Sequence, residues 1–552
     1  MNRRAILYAV LLLAAGGVLI ATGDDYAMRI ATLVGTYAIA AIGFQLVFGR
    51  LGLLALSQGA LFAVGAYALA LATVRWGWPP LAGLGLSVVV PALAGALVAV
   101  PIARLQSHYV ALATLGLAQL VLLAVTNLEI TGGANGLYGI PPLTVLGLDL
   151  SAGWPMLAVV WGGVALALCV FGWVTASGRS ARLATLRDAP LAGLALGLDP
   201  VGARLLVFTV AGALAGFAGG FQALGLGVVS PAVARFDVMV TLLAIAVVGG
   251  RGSAWGAVIA AAILVPLPEV FRGLEQAYLL AYGIMLLAAV ILLPTGIDGL
   301  VARVLPDLPG PVPEPRRARG RKISVLRAEK LGKRFGGVQA LDGAGFDARA
   351  GEITGIIGAN GSGKTTMLNI VTGLETADGG IVRLDAIPLL AQSIRARSAL
   401  GLARGFQHPE IPAGLDVLSA VSVAATESAG MAALERVGLA AKARVATAKL
   451  GPADRRRLDI ARALASGPTV LLLDEPASGL SASERADLAD LLRALAGVGV
   501  AVIVVEHGMD FLLPIADRLV CLDAGRVLAA GLTDAVRADP AVVAAYLGEE
   551  AA

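Results

Sequence analysis

Residues Ala5 to Ala21 read AILYAVLLLAAGGVLIA, and runs of this kind recur until about Leu305. About 20 such residues cross a bilayer as a helix, because lipid offers no partner to a free backbone N–H or C=O. The first half of the chain is thereby restricted to helices. Beyond Lys322, the first lysine in the sequence, polar and apolar residues mix as in a soluble domain. With 552 residues, 58% hydrophobic and 14% charged, the chain exceeds one domain and is too apolar to be wholly soluble.

About ten spans are expected. They are Ala5 to Ala21, Met28 to Phe48, Gly52 to Thr73, Leu81 to Ala103, Tyr109 to Asn127, Pro155 to Thr175, Ala203 to Gly227, Phe236 to Val248, Ala254 to Pro266 and Ala277 to Leu293. The eighth and ninth are short, as in a re-entrant pair or broken helices, which persist only where protein or a water-filled cavity satisfies the backbone. With Arg3 and Arg4 inside, successive crossings put Arg50, Arg104, the cluster Arg179, Arg182 and Arg187, then Arg251 and Arg303 on the cytoplasmic side. Asp24, Asp25 and Glu129 fall outside. Arg75, Arg235 and Arg272 are exceptions. An even number of crossings leaves the C-terminal half in the cytoplasm, and the many later spans favour an uncleaved first helix over a signal peptide.

The net charge of +4 is explained by this topology, so no nucleic-acid partner is expected. Two cysteines, Cys169 and Cys521, form neither a disulfide framework nor a metal cluster, which suits a reducing cytoplasm. Between the halves, LPDLPGPVPEPRRARGRK (Leu305 to Lys322) is too rich in proline to join a helix and reads as an extended linker. Its basic run Arg316 to Lys322 either touches anionic membrane lipid or ends the linker in solvent. The expected domains are 1–304, a transmembrane domain; 305–322, the linker; and 323–552, an α/β nucleotide-binding domain.

Within the last domain, the strand-like EITGII runs into GANGSGKTT. Gly358 to Thr365 fits G-x-x-x-x-G-K-T in its proper strand-loop-helix setting. Gly358, Gly361 and Gly363 let the backbone curl around phosphate oxygens, with Asn360, Ser362 and Thr366 beside them. Lys364 is placed to reach the β and γ phosphates of ATP, and Thr365 to hold Mg²⁺. VLLLDEP ends an apolar strand in two acids: Asp474 suits the metal and Glu475 the polarisation of attacking water. His507, after the strand AVIVVE, is placed to contact the γ phosphate. Gln407, in ARGFQHPE, is the candidate for sensing metal and γ phosphate together. Phe335 either stacks on adenine or belongs to the core.

These motifs, in this order, resemble the ABC ATPases. RFGGVQALDG, ARGFQ, RRLDIARAL, LLLDEPASGL and AVVAAYLG resemble more narrowly the ATPase of branched-chain amino acid importers. The first half resembles the permease of the same importers through SHYVALATLGLAQLVLLAVTN, EITGGANGLYGIPPL, GARLLVFTVAGALAGFAGGFQA and VVGGRGSAWGAVIAA. The resemblance implies a fusion of permease and ABC-type nucleotide-binding domain in a bacterial inner membrane. It also implies a second permease, a second ABC ATPase and an external solute-binding protein as partners. Gly132, Gly133 and Gly136 then form a tight turn facing the pathway or the binding protein, or a plain turn. The loop Ser177 to Pro200 either docks on the ATPase as a coupling element or lies on the membrane surface.

Three departures from the family stand out. The stretch between Gln407 and Leu450 is short for its helical subdomain, which puts partner docking in doubt. Ser481 stands where an aspartate usually follows SGL. Most notably, the signature loop reads Leu450-Gly451-Pro452-Ala453-Asp454. In this fold that loop meets the γ phosphate bound on the opposite ATPase. Pro452 deletes a donor, Ala453 adds a methyl and Asp454 brings negative charge, although Asp454 is also a good helix N-cap. One lost donor costs on the order of 10²–10³ in rate. The loop acts on the partner's site, so a hetero-pair with a better-signed second ATPase is favoured. The expected function is ATP-driven uptake of branched-chain or other amino acids. Import of urea or short amides, or a non-hydrolytic regulatory subunit, are the alternatives.

Overall fold

A computed structural model describes residues 3–102, 107–145, 147–176, 178–270, 283–284, 287–288, 291–293, 295–304 and 325–544. The linker 305–322, most of the span expected at 277–293, and Arg104, Ser177 and Arg272 lie outside the described residues. The chain divides into two units, Met1–Ser180 with Pro200–Gly310 and Ala181–Asp199 with Pro311–Ala552.

In the first unit, six helices among the described residues are long and apolar enough to span: Asp25–Arg50, Gln58–Arg75, Pro80–Ile102, Tyr109–Asn127, Gly153–Thr175 and Pro200–Leu226. Three more apolar helices, Ile6–Thr22, Phe236–Gly249 and Ala254–Glu269, are shorter. The expected total of about ten is therefore not reached among the described residues. Hydropathy marks apolar runs, but the length of unbroken helix depends on where the backbone turns.

The helix Pro200–Leu226 is central, and glycine spacing explains why. A Cβ on Gly216 would lie 2.1 Å from the Ser87 carbonyl oxygen, and one on Gly219 would lie 2.0 Å from that of Phe62. Glycines at 212, 216 and 220 thus meet the helix Pro80–Ile102, while Gly219 meets Gln58–Ala70. In lipid, where apolar burial does not drive helices together, such close approach supplies the packing attraction.

The short eighth and ninth spans are a broken pair, Phe236–Gly249 and Ala254–Leu264, joined by a glycine-rich turn. Gln45, fully buried, satisfies that turn. Its Nε2 donates to the carbonyls of Ala246 (2.9 Å) and Gly250 (3.0 Å), and its Oε1 accepts from the Gly252 N–H (2.7 Å). Gln45→Leu strands these groups in an apolar interior and is expected to cost about 2 kcal/mol. A lower melting temperature in detergent checks this, and an unchanged one contradicts it. Gly132, Gly133 and Gly136 all have left-handed φ (81°, 59° and 79°). They form a tight turn before Leu137–Tyr138, which pairs antiparallel with Val228–Val229.

In the second unit, a six-stranded sheet runs Leu402–Gly405, Val470–Asp474, Ala501–Val505, Ile353–Gly358, Arg518–Asp523 and Arg526–Leu532. The first five strands are parallel and the last antiparallel. Continuous apolar runs such as VLLLD and AVIVV suit strands buried on both faces, and both are buried throughout. A four-stranded antiparallel sheet, led by Val338–Arg349 and Val325–Phe335, packs beside it. The short stretch after Gln407 folds into the helices Val417–Val421 and Glu427–Arg436, which close one core with the helix Pro452–Ala465. The carboxyl ends of the parallel strands, where ligands bind in open α/β sheets, carry the candidate residues.

Candidate functional site: a phosphate loop with two acids

The phosphate loop leaves the central strand Ile353–Gly358 and enters the helix Lys364–Thr372. Gly361 and Gly363 have φ of 82° and 102°, which a side chain would strain, and a Cβ on Gly363 would meet the Ala340 carbonyl oxygen at 2.5 Å. The loop is thus a built concavity next to a helix N-terminus. Lys364 is buried, and its ammonium donates to the carbonyls of Gly358 (2.6 Å) and Ala359 (2.8 Å). Burial lowers its pKa, with Glu475 and Asp474 opposing that shift. Ser362 Oγ is buried without a partner, while Asn360 and Thr365 are exposed and Thr366 half-buried.

On the neighbouring strand, Asp474 is buried and Glu475 adopts φ 46°, a strained conformation for a non-glycine residue. The Glu475 N–H donates to the Val505 carbonyl at 2.8 Å, which fixes this turn. Gln407 Nε2 donates to Glu475 Oε2 at 2.8 Å. Burial raises the Asp474 pKa against the opposing pull of Arg404, and the Thr365 hydroxyl faces the same carboxyl. His507 Nε2 contacts Asn360 Oδ1, which ties the end of the Ala501–Val505 strand to the phosphate loop. Phe335 ends its strand 46% exposed, which removes it from the core, and the Lys333 ammonium lies 5.1 Å from its ring centre.

The signature position differs from expectation in one respect. The N-cap of the helix Pro452–Ala465 is Gly451, not Asp454. Pro452 takes the first helical position, where its missing N–H has no intrahelical acceptor to lose. Asp454 falls in the first turn, and its carboxylate is met by the Lys442 ammonium at 2.5 Å. The helix holds the site together through Arg456, which donates to the carbonyls of Gln407 (2.6 Å) and Ser478 (3.3 Å). A cavity of about 560 Å³ lies here, lined by Gln407, Leu450, Pro452, Ala453, Arg455 and Ser478 among others. Ser481 is the N-cap of Ala482–Gly497, in a reciprocal capping box with Glu484.

Residues 181–199 fold with this unit. The Leu191 N–H donates to the Glu410 carboxylate at 3.2 Å, Arg182 Nε to the Val423 carbonyl at 3.4 Å, and Asp199 lies 4.0 Å from Arg395. Of the two readings of the loop Ser177 to Pro200, these contacts of residues 181–199 match the docked one, and Glu410 lies close in sequence to Gln407. Arg404, Lys442, Arg456 and Glu410 join these contacts although no motif reading in the sequence singles them out. Arg404 lay inside ARGFQ, and its charge in an otherwise apolar strand was the available signal.

Residues 26–293 match the family described as branched-chain amino acid transport system / permease component. Residues 341–478 match the ABC transporter family, and residues 526–552 match the branched-chain amino acid ATP-binding cassette transporter family. The permease protein LivM of the high-affinity branched-chain amino acid transport system of Salmonella typhimurium is 35% identical over 49% of this chain and 69% of its own length. The ATP-binding protein LivG of the same organism is 32% identical over 41% of this chain and 98% of its own. The corresponding ATP-binding protein BraF of Pseudomonas aeruginosa is 32% identical over 41% of this chain and 98% of its own. A nucleotide-free ATP-binding cassette of known structure is 26% identical over 41% of this chain and 99% of its own, with a TM-score of 0.38.

Permease and nucleotide-binding cassette in one polypeptide define an ABC transporter with its ATPase attached, a multi-pass membrane protein whose ATPase half is cytoplasmic. The chain belongs to the branched-chain amino acid ABC transporter family, with a permease-type half and an ATP-binding half.

Proposed function

We propose that the chain couples ATP hydrolysis to the import of branched-chain amino acids across a bacterial inner membrane. The observation that carries this reading is that both halves resemble subunits of one transport system. A second permease, a second ATPase and an external binding protein complete the assembly. The external binding protein selects the solute.

For hydrolysis, the loop N–H groups of Gly358, Asn360, Gly361, Ser362 and Gly363 receive the phosphates. Lys364 exchanges its two carbonyl acceptors for the β and γ oxygens. Phe335 stacks on adenine. Glu475 orients and polarises the attacking water, with its carboxylate held by Gln407. His507, held against Asn360, adds a contact to the γ phosphate.

The residues present also fit magnesium. Asp474 Oδ1 is a buried oxygen without a hydrogen-bond partner, beside the Thr365 hydroxyl. Gln407 turns its amide nitrogen to Glu475, which leaves its carbonyl oxygen for a cation. Among the described residues no three His, Cys, Asp or Glu side chains cluster to hold a metal. Asp474, Thr365 and Gln407 would therefore share the ion with phosphate oxygens and water. When bound, magnesium neutralises charge on the β and γ oxygens.

Gly451, Pro452, Ala453 and Asp454 complete the site of the partner ATPase, and the pair is a heterodimer. Lys442 offsets the charge of Asp454, but the missing donor and the added methyl remain. The test of the solute is uptake into proteoliposomes holding the complete transporter and its binding protein. ATP-dependent leucine entry without urea entry is expected, and entry of urea in place of leucine contradicts the assignment.

A further inference from the structure

Arg404 is buried in the strand Leu402–Gly405, and its guanidinium joins three elements. Nη1 donates to Asn369 Oδ1 at 2.6 Å and Thr372 Oγ1 at 3.2 Å, both on the helix that follows the phosphate loop. Nη2 donates to Asp474 Oδ2 at 3.2 Å. The guanidinium carbon also lies 5.1 Å from the ring centre of Phe406, the neighbour of Gln407. The Arg404 and Asp474 side chains each retain 3% exposure.

The two oxygens of Asp474 are therefore unlike. Oδ2 is held by a fixed cation, and Oδ1 is buried without a hydrogen-bond partner, on the carboxyl that the Thr365 hydroxyl faces. Left alone, a carboxyl group turns easily, because its terminal torsion is broad. A planar guanidinium anchored by Asn369 and Thr372 removes that freedom, and a lysine ammonium lacks the fork to do so.

We propose that Arg404 is a positioning residue for magnesium: it holds Oδ2 of Asp474 so that Oδ1 alone is presented to the metal. The proposal rests on the assignment of Asp474 as the metal-holding acid. Partners that orient metal ligands in this way contribute about 10–100-fold to metal affinity.

The test uses the full chain in lipid nanodiscs, with Mn²⁺ as a spectroscopic probe beside a non-hydrolysable ATP analogue. Nucleotide affinity is measured separately in EDTA. Arg404→Met is expected to weaken Mn²⁺ binding by about 10–100-fold and to leave nucleotide affinity in EDTA unchanged. Arg404→Lys, which keeps the charge and loses the fork, is expected to behave like Arg404→Met. Wild-type or tighter Mn²⁺ binding in Arg404→Met, or full rescue by Arg404→Lys, overturns the proposal. If Arg404→Met does not fold, Asn369→Ala removes the anchor and leaves the ion pair. Weaker Mn²⁺ binding then supports the proposal, and wild-type binding overturns it. Asp474→Asn separates the two levels. If it weakens Mn²⁺ while the Arg404 variants do not, only the positioning role fails; if it too binds Mn²⁺ normally, the metal assignment fails with it.

Discussion

Glu475→Gln is expected to lower ATP hydrolysis by about 10²–10⁴-fold, the usual contribution of a positioned general base. Nucleotide binding should persist. The carboxylate sits next to Asp474 at a strand end, turned by a left-handed backbone that the Glu475 N–H bond to Val505 maintains. Glutamine matches the shape and accepts the same backbone geometry, so the fold is kept. What it loses is the negative charge that polarises water and the carboxylate that accepts from Gln407. Hydrolysis should therefore collapse, and import with it. The measurement is ATPase activity of the reconstituted transporter alongside nucleotide affinity. Unchanged hydrolysis would return the chain to a non-hydrolytic, regulatory reading.

The second large effect concerns the loop at the start of the helix Pro452–Ala465. Replacing it by Gly451→Ser, Pro452→Gly, Ala453→Gly and Asp454→Gln together restores a backbone donor and removes a methyl. Turnover at the partner's nucleotide should rise by about 10²–10³, the value of one preorganised donor. Turnover at this chain's own Glu475 should not change, because in the proposed pair that site is completed by the partner's loop. The charge of Asp454 contributes the least to this gain, since Lys442 already meets it. Asp454→Gln alone is accordingly the weakest of the four changes. Subunit-resolved hydrolysis, with the partner's own catalytic acid intact, checks the result; no gain would mean that the loop as it stands suffices.

Local chemistry was legible in the sequence, and long-range chemistry was not. Lys364, Thr365, Asp474 and Glu475 sit in short motifs whose meaning depends on a few neighbours and a strand or helix beside them. Gln407 and His507 were found only by their order, yet the structure joins Gln407 to Glu475 and His507 to Asn360. Gln45 could not be read, because its three partners lie some 200 positions away, from Ala246 to Gly252. Arg404 and Arg456 read as ordinary charges until the sheet placed them against Asp474 and Gln407.

The central packing of the membrane half was legible in principle. Glycines at 212, 216 and 220 recur every fourth residue in AGALAGFAGG, which is the spacing of one helix face. Span number was harder, since two apolar runs that look like crossings are short helices around a turn held by a distant glutamine. The expectation for Asp454 failed for a local reason. Proline takes the first helical position, so the cap is the residue before it, Gly451, three positions ahead of Asp454, and the acid lies in the first turn.

The central claim is an unequal pair of ATP sites in which this chain supplies the sound catalytic residues and the weak signature loop. Vanadate trapping of photoreactive ATP on the purified, complete transporter tests it directly. The account predicts two different ATPase subunits, with trapped nucleotide predominantly on this chain's phosphate loop. A strict homodimer with full activity at both sites, or equal trapping on two unlike subunits, would contradict it.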